Sequence, residues 1–292
     1  MANNHQGDLD HANDIVKQIG DICNVKSIRG VLKLQFRNLD EFIHKQEIDN
    51  DSNPNIKRFL STKLEWDQFF NIKNYIKKNN LLSMCTPFDE FSVDKIKEMK
   101  FDLIKVASCS ADDWPLLEKI AQSGLPVIVS TGGLMIDEID DLVSFFTHKG
   151  VDFSIMHCIS IYPTPSNQVQ IGFINTLKNR YPDIEIGWST HENPDDQDII
   201  KVAYALGARM FERHVGISNE KYKLNAYSSN PDQIIKWIDS FNKTKEIIGG
   251  AKKFISEQEK NALKKLKRGV YAKNKIKENM FLLRENIYFA VP

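Results

Sequence analysis

The sequence predicts an α/β protein built on a (β/α)8 TIM barrel, and three observations predict it. Short apolar runs rich in Val, Ile, Leu and Phe alternate with longer helical patterns between residues 31 and 214. From residue 81 these runs recur at intervals of roughly 20–30 residues, enough for one strand, one helix and their connections. Eight such units occupy about 250 residues, and the chain has 292. A doubly wound sheet is the competing architecture, but no GxGxxG follows the first clear strand to support a nucleotide-binding version.

The elements follow in order. A first strand is expected at 1–3, then a helix over 9–19. At that count strand one begins with the first residue, and the chain reads as clipped there. Strand two covers 31–36, where Leu32, Leu34 and Phe36 alternate with Lys33 and Gln35. Residues 40–63 are polar, carry Asn-Pro at 53–54, and read as an insertion. Further strands are expected at 81–85, 103–107, 127–130, 153–158, 185–189 and 210–214. They are near-continuous apolar runs, as in parallel strands covered on both faces. Helices over 93–99, 114–123, 137–149, 172–180 and 196–206 separate them. Asp113 before Trp114-Pro115 supplies an N-cap with proline in the first turn. Gly124 and Gly150 stand where glycine ends a helix. A helix over 232–248 stops at Gly249-Gly250, and 256–267 reads as a basic amphipathic linker helix. Runs at 269–272 and 286–289 look like the start of a β-rich module. The expected organisation is a barrel domain over 1–250, a linker over 251–268 and a partial module over 269–292.

Composition narrows the function. Lys and Arg number 39 against 39 Asp and Glu, so there is no basic excess to hold a nucleic acid. No apolar run reaches the roughly 18 residues of a membrane span, and residues 1–10 lack the apolar segment of a secretory signal. The four cysteines, Cys23, Cys85, Cys109 and Cys158, are widely spaced and read as small core residues of a reduced, cytoplasmic protein.

In a barrel the chemistry gathers at the C-terminal ends of the strands. There the sequence places Thr86, Ser108, Ser130, Ser160 and Ser189 at successive strand ends. Hydroxyls, free backbone N–H groups and a nearby Lys33 suit a phosphate or carboxylate. Any one hydroxyl could equally cap the following helix; five together favour an anionic ligand. Lys33 and Gln35 within an apolar strand are costly unless each meets a partner or ligand. His191 and His214 end adjacent strands, an arrangement that suits a divalent metal completed by water and substrate. A lone histidine in such a place is more often structural; the pair raises the metal reading. His157 reads as a buried, hydrogen-bonded histidine.

A set of motifs occurs in order: Asn4-His5-Gln6-Gly7-Asp8, Lys33-Leu34-Gln35, Cys85-Thr86-Pro87-Phe88, Lys105-Val106-Ala107-Ser108, Ser130-Thr131-Gly132, His157-Cys158 with Tyr162-Pro163-Thr164-Pro165, and Glu212-Arg213-His214. Together they resemble the sialic acid synthase family, the N-acetylneuraminate synthases and their spore-coat polysaccharide synthesis relatives. The resemblance implies a transferase of carbohydrate biosynthesis. It would condense phosphoenolpyruvate with an N-acylated aldose such as N-acetylmannosamine, releasing phosphate. It implies His191 and His214 as ligands of a divalent metal, usually Mn2+, with Mg2+ or Co2+ as alternatives. It implies Lys33, Thr86, Ser108, Ser130 and Ser189 as phosphoenolpyruvate contacts, with Ser160 where the synthases often carry Asn. Gln35, Phe88 and Tyr162 match sugar-side positions. The tail from Arg268-Gly269 to Asn286-Ile287 resembles the opening of an antifreeze-like (SAF) domain, cut short, through which relatives pair as homodimers.

The resemblance also has gaps. Cys109-Ser110 stand where the synthases carry Glu, Thr190 where they carry Asp, and Leu224 or Asn225 where a loop carries Asp. The family's strand-one Glu would lie upstream of Met1, and its domain-borne Arg aligns with Val291. The phosphoenolpyruvate side matches the family and the sugar side is altered. Two alternatives follow: a catalytically weakened barrel that binds sugar, and a Schiff-base aldolase using Lys33 or Lys105.

Overall fold

The computed structural model describes residues 1–48 and 53–292. They form two compact units, Met1–Ile247 and Ile248–Pro292. The first contains a parallel sheet of β1 (Val31–Phe36), β2 (Leu82–Pro87), β3 (Leu103–Val106), β4 (Val127–Ser130), β5 (Phe153–Cys158), β6 (Ile186–Thr190) and β7 (Met210–Arg213). Neighbours in the sheet are neighbours in sequence, the order of a (β/α) barrel and not of a doubly wound sheet. Helix α1 (Leu9–Val25) precedes β1, and α2 (Leu39–Phe42), α3 (Pro54–Ser61) and α4 (Trp66–Lys78) follow it. One helix then follows each strand: α5 (Glu90–Glu98), α6 (Trp114–Ala121), α7 (Ile136–His148), α8 (Phe173–Arg180), α9 (Asp198–Ala205) and α10 (Pro231–Ile248).

The eighth strand expected at 1–3 is not there. Among the described residues the sheet has seven strands, and β1 and β7 do not pair with each other. Residues Ala2–His5 form a 3-10 turn instead. The reason is local: Ala2, Gln6 and Gly7 take φ values of 49°, 57° and 71°, a left-handed backbone that curls the chain where a strand would extend it. The turn bridges the gap. The Met1 amino group donates to the Lys33 carbonyl at 3.0 Å, and Asn4 Nδ2 donates to the Val215 carbonyl, just past β7, at 2.9 Å. The sheet is therefore a curled, open barrel with a turn in its seam.

The periodicities explain the packing. In β1, Leu32, Leu34 and Phe36 are buried, while Lys33 and Gln35 take the other face. Phe36 meets Trp66, Phe69 and Phe101 at ring distances of 4.6–5.5 Å. Met84, Ile128 and Met156 form a small separate apolar cluster. Asp113 accepts from the Leu116 amide and starts α6, as expected, and Gly124 and Gly150 take left-handed φ after α6 and α7. The insertion contains α3, which Asn53 caps ahead of Pro54; residues 49–52 of that stretch lie outside the described residues.

In the second unit, Ser256 caps α11 (Glu257–Lys264). Strands β8 (Gly269–Ala272) and β9 (Ile287–Ala290) pair antiparallel, with Tyr271 opposite Tyr288. Among the described residues no helix is long and apolar enough to cross a membrane.

Candidate active site

The C-terminal ends of the strands surround one cavity of about 860 Å³. All twelve side chains singled out from the sequence line it, from Lys33 on β1 to Asn225 in the loop after β7. His191 and His214 stand one residue beyond β6 and β7.

The floor is an ionic cluster. Lys33 Nζ donates to Glu212 Oε1 at 2.6 Å, joining β1 to β7, and Ser189 Oγ donates to the same oxygen at 3.3 Å. Burial works against ionisation of Glu212, but the charges of Lys105 and Lys33 overcome it and hold the carboxyl well below the usual range. Lys105 is 1% exposed. It donates to Ser130 Oγ and to the Val106 carbonyl, and burial lowers its pKa to about 8.

The hydroxyls face this floor and do not cap helices. Asp89 and Asp113 cap α5 and α6, and Met135, Gly172 and Gln197 occupy the N-cap positions of α7, α8 and α9. Ser130 and Ser189 engage Lys105 and Glu212. Ser108 Oγ accepts from the Gly132 amide at 3.0 Å. Thr86 Oγ1 is buried with no partner, a donor in want of an acceptor. Gly132 shows how closely this wall is drawn: a Cβ there would lie 2.5 Å from Ser160 Oγ and 2.8 Å from Ser108 Oγ.

The imidazoles converge at the ends of β6 and β7. The rings of His191 and His214 lie 5.3 Å apart. Nδ1 of His191 lies 3.0 Å from the Ile159 carbonyl, which makes that nitrogen the protonated one and leaves Nε2 as a lone pair. Burial lowers the His191 pKa to about 4 and that of His214 well below its ordinary value, where His191 and Lys33 depress it further. Tyr162 lies against both rings, at 4.2 Å and 6.4 Å, and Tyr227 packs on His214 at 5.2 Å. Burial raises the Tyr162 pKa. Two neutral imidazoles, one oriented by a backbone carbonyl, are the donor chemistry a divalent cation takes. Among the described residues no third His, Cys, Asp or Glu completes a cluster with them, so water and substrate oxygens would fill the other positions. His157 points away from the cavity; its Nε2 lies 3.1 Å from the Gln170 carbonyl and its ring packs on Trp188.

The cysteine expectation needs one correction. Cys23, Cys85 and Cys158 are buried, but Cys109 is exposed and lines the cavity, because Ser108–Ser110 is a 3-10 turn past the end of β3. Three features escaped the sequence reading. Glu212 joins the lysines in the floor. Arg213 reaches behind the sheet to Glu192 at 3.4 Å and to the Asn193 carbonyl at 3.1 Å, and so links the residues beside the two histidines. Arg37 extends the Lys33, Gln35 series into the cavity wall; the period of two that marked the first pair could have found it.

An open α/β barrel whose strand ends gather ammonium groups, hydroxyls and two neutral imidazoles around one cavity is the class of protein that the fold and site define. The chain belongs to the NeuB family, whose profile matches residues 25–253. It is 31% identical to an uncharacterised protein of Methanocaldococcus jannaschii over 99% of this chain and 82% of that one. It is 27% identical to the human N-acetylneuraminate-9-phosphate synthase, covering 97% of this chain and 79% of the relative. A crystal structure from Chromobacterium violaceum ATCC 12472, of a protein assigned to spore coat polysaccharide biosynthesis (protein E), superposes with a TM-score of 0.96. It is 41% identical, over all of this chain and 87% of the other.

Proposed function

We propose that this chain is a synthase that condenses phosphoenolpyruvate with an N-acylated aldose such as N-acetylmannosamine, giving a sialic-acid-type nine-carbon 2-keto acid and inorganic phosphate. The observation that carries the reading is that Lys33, Lys105, the strand-end hydroxyls and the imidazole pair line one cavity. Family membership supports it, as does the synthase named among the relatives.

Carbon 3 of phosphoenolpyruvate supplies the electron pair for the new carbon–carbon bond to the aldehyde carbon. The aldehyde oxygen becomes an alkoxide, and positive character develops at carbon 2. Water adds there, and the proton it gives up balances the one the alkoxide takes. The carbon–oxygen bond to phosphate then breaks, the carbon 2 hydroxyl gives its proton to the departing phosphate, and the keto group remains. Lys33, Lys105, Ser130 and Ser189 hold the carboxylate and phosphate throughout, so the reacting carbon is fixed before attack. The other hydroxyls of the ring, Thr86, Ser108 and Ser160, donate to the phosphate oxygens, where charge collects as it departs. Glu212, kept ionised by its two lysines, offsets positive charge at carbon 2. Tyr162, with its raised pKa, stays a proton donor on the sugar side, where Gln35, Phe88 and Asn225 complete the wall. A divalent metal, Mn2+ above all, bound by His191 and His214 would supply Lewis-acid polarisation of the aldehyde oxygen.

The test is phosphate release from phosphoenolpyruvate with divalent metal across a panel of aldoses. Release that needs both supports the reading, and no release with any aldose ends it. One observation favours a second reading, the Schiff-base aldolase: burial leaves Lys105 with an amine pKa of about 8, nearer a nucleophile's than a free lysine's. Borohydride with pyruvate traps an imine on that route and nothing on the synthase route.

A further inference from the structure

The described wall of the cavity carries five cations, Lys33, Lys105, Arg37, Arg58 and Lys223, and a single carboxylate, Glu212. The two lysines and Glu212 form the floor. The other three belong to the mouth: Arg37 just past β1, Arg58 on α3, Lys223 in the loop after β7.

Arg37 is built as a fixed cation. Its guanidinium carbon lies 4.0 Å from the centre of the Phe59 ring and 3.8 Å from that of Phe88, so the planar group is held between two aromatic faces. Its two terminal nitrogens share one neutral acceptor, Gln35 Oε1, each at 3.3 Å, and Nε is buried with no partner. Among the described residues no carboxylate forms an ion pair with it. The nearby Asp89 spends its oxygens on the amides of Asn38 and Ser92. A guanidinium fork so oriented and so poorly served is made for a bidentate anion.

Its distance from the floor decides which anion. Lys33, Gln35 and Arg37 share one face of an extended segment, so Arg37 stands about 13 Å along the chain from Lys33. The two aromatic rings keep its side chain from reaching back. A six-carbon chain is about 6 Å from first to last carbon at ordinary bond lengths. Arg37, Arg58 and Lys223 line the same cavity as His191 and His214, and they stand apart from the lysines of the floor, so a second anionic group on the bound substrates, at the end of the acceptor remote from its aldehyde, is what they can meet.

We propose that the acceptor sugar carries an anionic group, a phosphate ester or a carboxylate, at the end remote from its aldehyde, and that Arg37, seconded by Arg58 and Lys223, selects it. This rests on the synthase reading and names its substrate class. The cations at the mouth are specificity determinants and take no part in bond making.

The experiment compares N-acetylmannosamine, its 6-phosphate and the corresponding 6-uronate as acceptors for the metal-loaded protein. Phosphate release and calorimetric binding of each sugar without phosphoenolpyruvate are both measured. One of the anionic sugars exceeds the neutral sugar tenfold or more in kcat/KM and in affinity; which one leads separates phosphate from carboxylate. Arg37→Met removes most of that advantage while the KM for phosphoenolpyruvate stays within twofold, and Arg37→Lys restores part of it. Arg58→Met repeats the test on a second element, and thermal melting confirms that both variants fold. A neutral sugar that equals or outperforms both anionic ones overturns the proposal and leaves the synthase reading standing. So does an Arg37→Met loss of equal size for neutral and anionic sugars. Absence of release with all three, joined to absence of binding, overturns both.

Discussion

Substituting Gly132 by alanine tests the anion cradle without removing any group from it. Gly132 is absent from the residues with positive φ, so alanine fits its backbone and slightly restricts the unfolded chain, a gain of about 0.4–1 kcal/mol. The new Cβ meets Ser160 Oγ at 2.5 Å and Ser108 Oγ at 2.8 Å, with the Cys158 carbonyl at 3.2 Å. Serine oxygens sit on one rotatable bond, so they swing aside, Ser108 giving up the hydrogen bond it accepts from the Gly132 amide. The loss falls on the ligand. A hydrogen bond to a charged group contributes about 1.5–3 kcal/mol, and 1.4 kcal/mol is a factor of ten. Displacing one hydroxyl therefore raises the KM for phosphoenolpyruvate about 10- to 150-fold, and displacing both raises it further. Steady-state kinetics with phosphoenolpyruvate varied at saturating sugar reads the effect, and the melting temperature reports the fold. A KM within twofold of the parent, in a variant of unchanged stability, refutes the assignment of Ser108 and Ser160 to the anion.

Three further outcomes follow from the same geometry. His191→Ala together with His214→Ala removes stoichiometric divalent metal, measured by elemental analysis after dialysis; retained metal contradicts the pair as its site. Lys105 has a folded pKa lowered by burial to about 8 from an ordinary 10.5, so the free protein carries it charged below pH 8 and neutral above. An anion needs the charged form, so affinity for phosphoenolpyruvate falls about tenfold per pH unit above pH 8, and Lys105→Met abolishes that slope along with most of the binding. A flat profile from pH 7 to 9 by calorimetry counts against Lys105. Leu34 is fully buried on the helix-facing side of β1, so Leu34→Ala lowers unfolding free energy by about 2–5 kcal/mol in urea; a loss under 1 kcal/mol contradicts the packing.

The strands were legible because a parallel strand covered on both faces leaves a short, near-continuous apolar run, and the helices because Asp113, Pro115, Gly124 and Gly150 punctuate them. The polar face of β1 was legible for the same reason of period: Lys33 and Gln35 break an apolar strand at every second place. Arg37 obeys that period but lies beyond the apolar run that drew attention to it. The opening strand was misjudged because it was inferred from a count of eight, and the left-handed conformations of Ala2, Gln6 and Gly7 that curl the chain there are visible only in the structure. The hydroxyls were ambiguous in sequence since serine and threonine serve caps and anions alike; the structure gives the capping of α5 and α6 to Asp89 and Asp113. The Glu212 and Arg213–Glu192 contacts were out of reach, because they join residues about 20 to 180 positions apart that only the curl of the sheet brings together.

The central claim is that the cradle and the imidazole pair act on one substrate complex. Single-turnover phosphate release from phosphoenolpyruvate, with metal and aldose added separately and together, tests it most directly. The account predicts release only with both present, accompanied by a 2-keto acid carrying the three phosphoenolpyruvate carbons. Equal release without any aldose, or without any divalent metal, would contradict it.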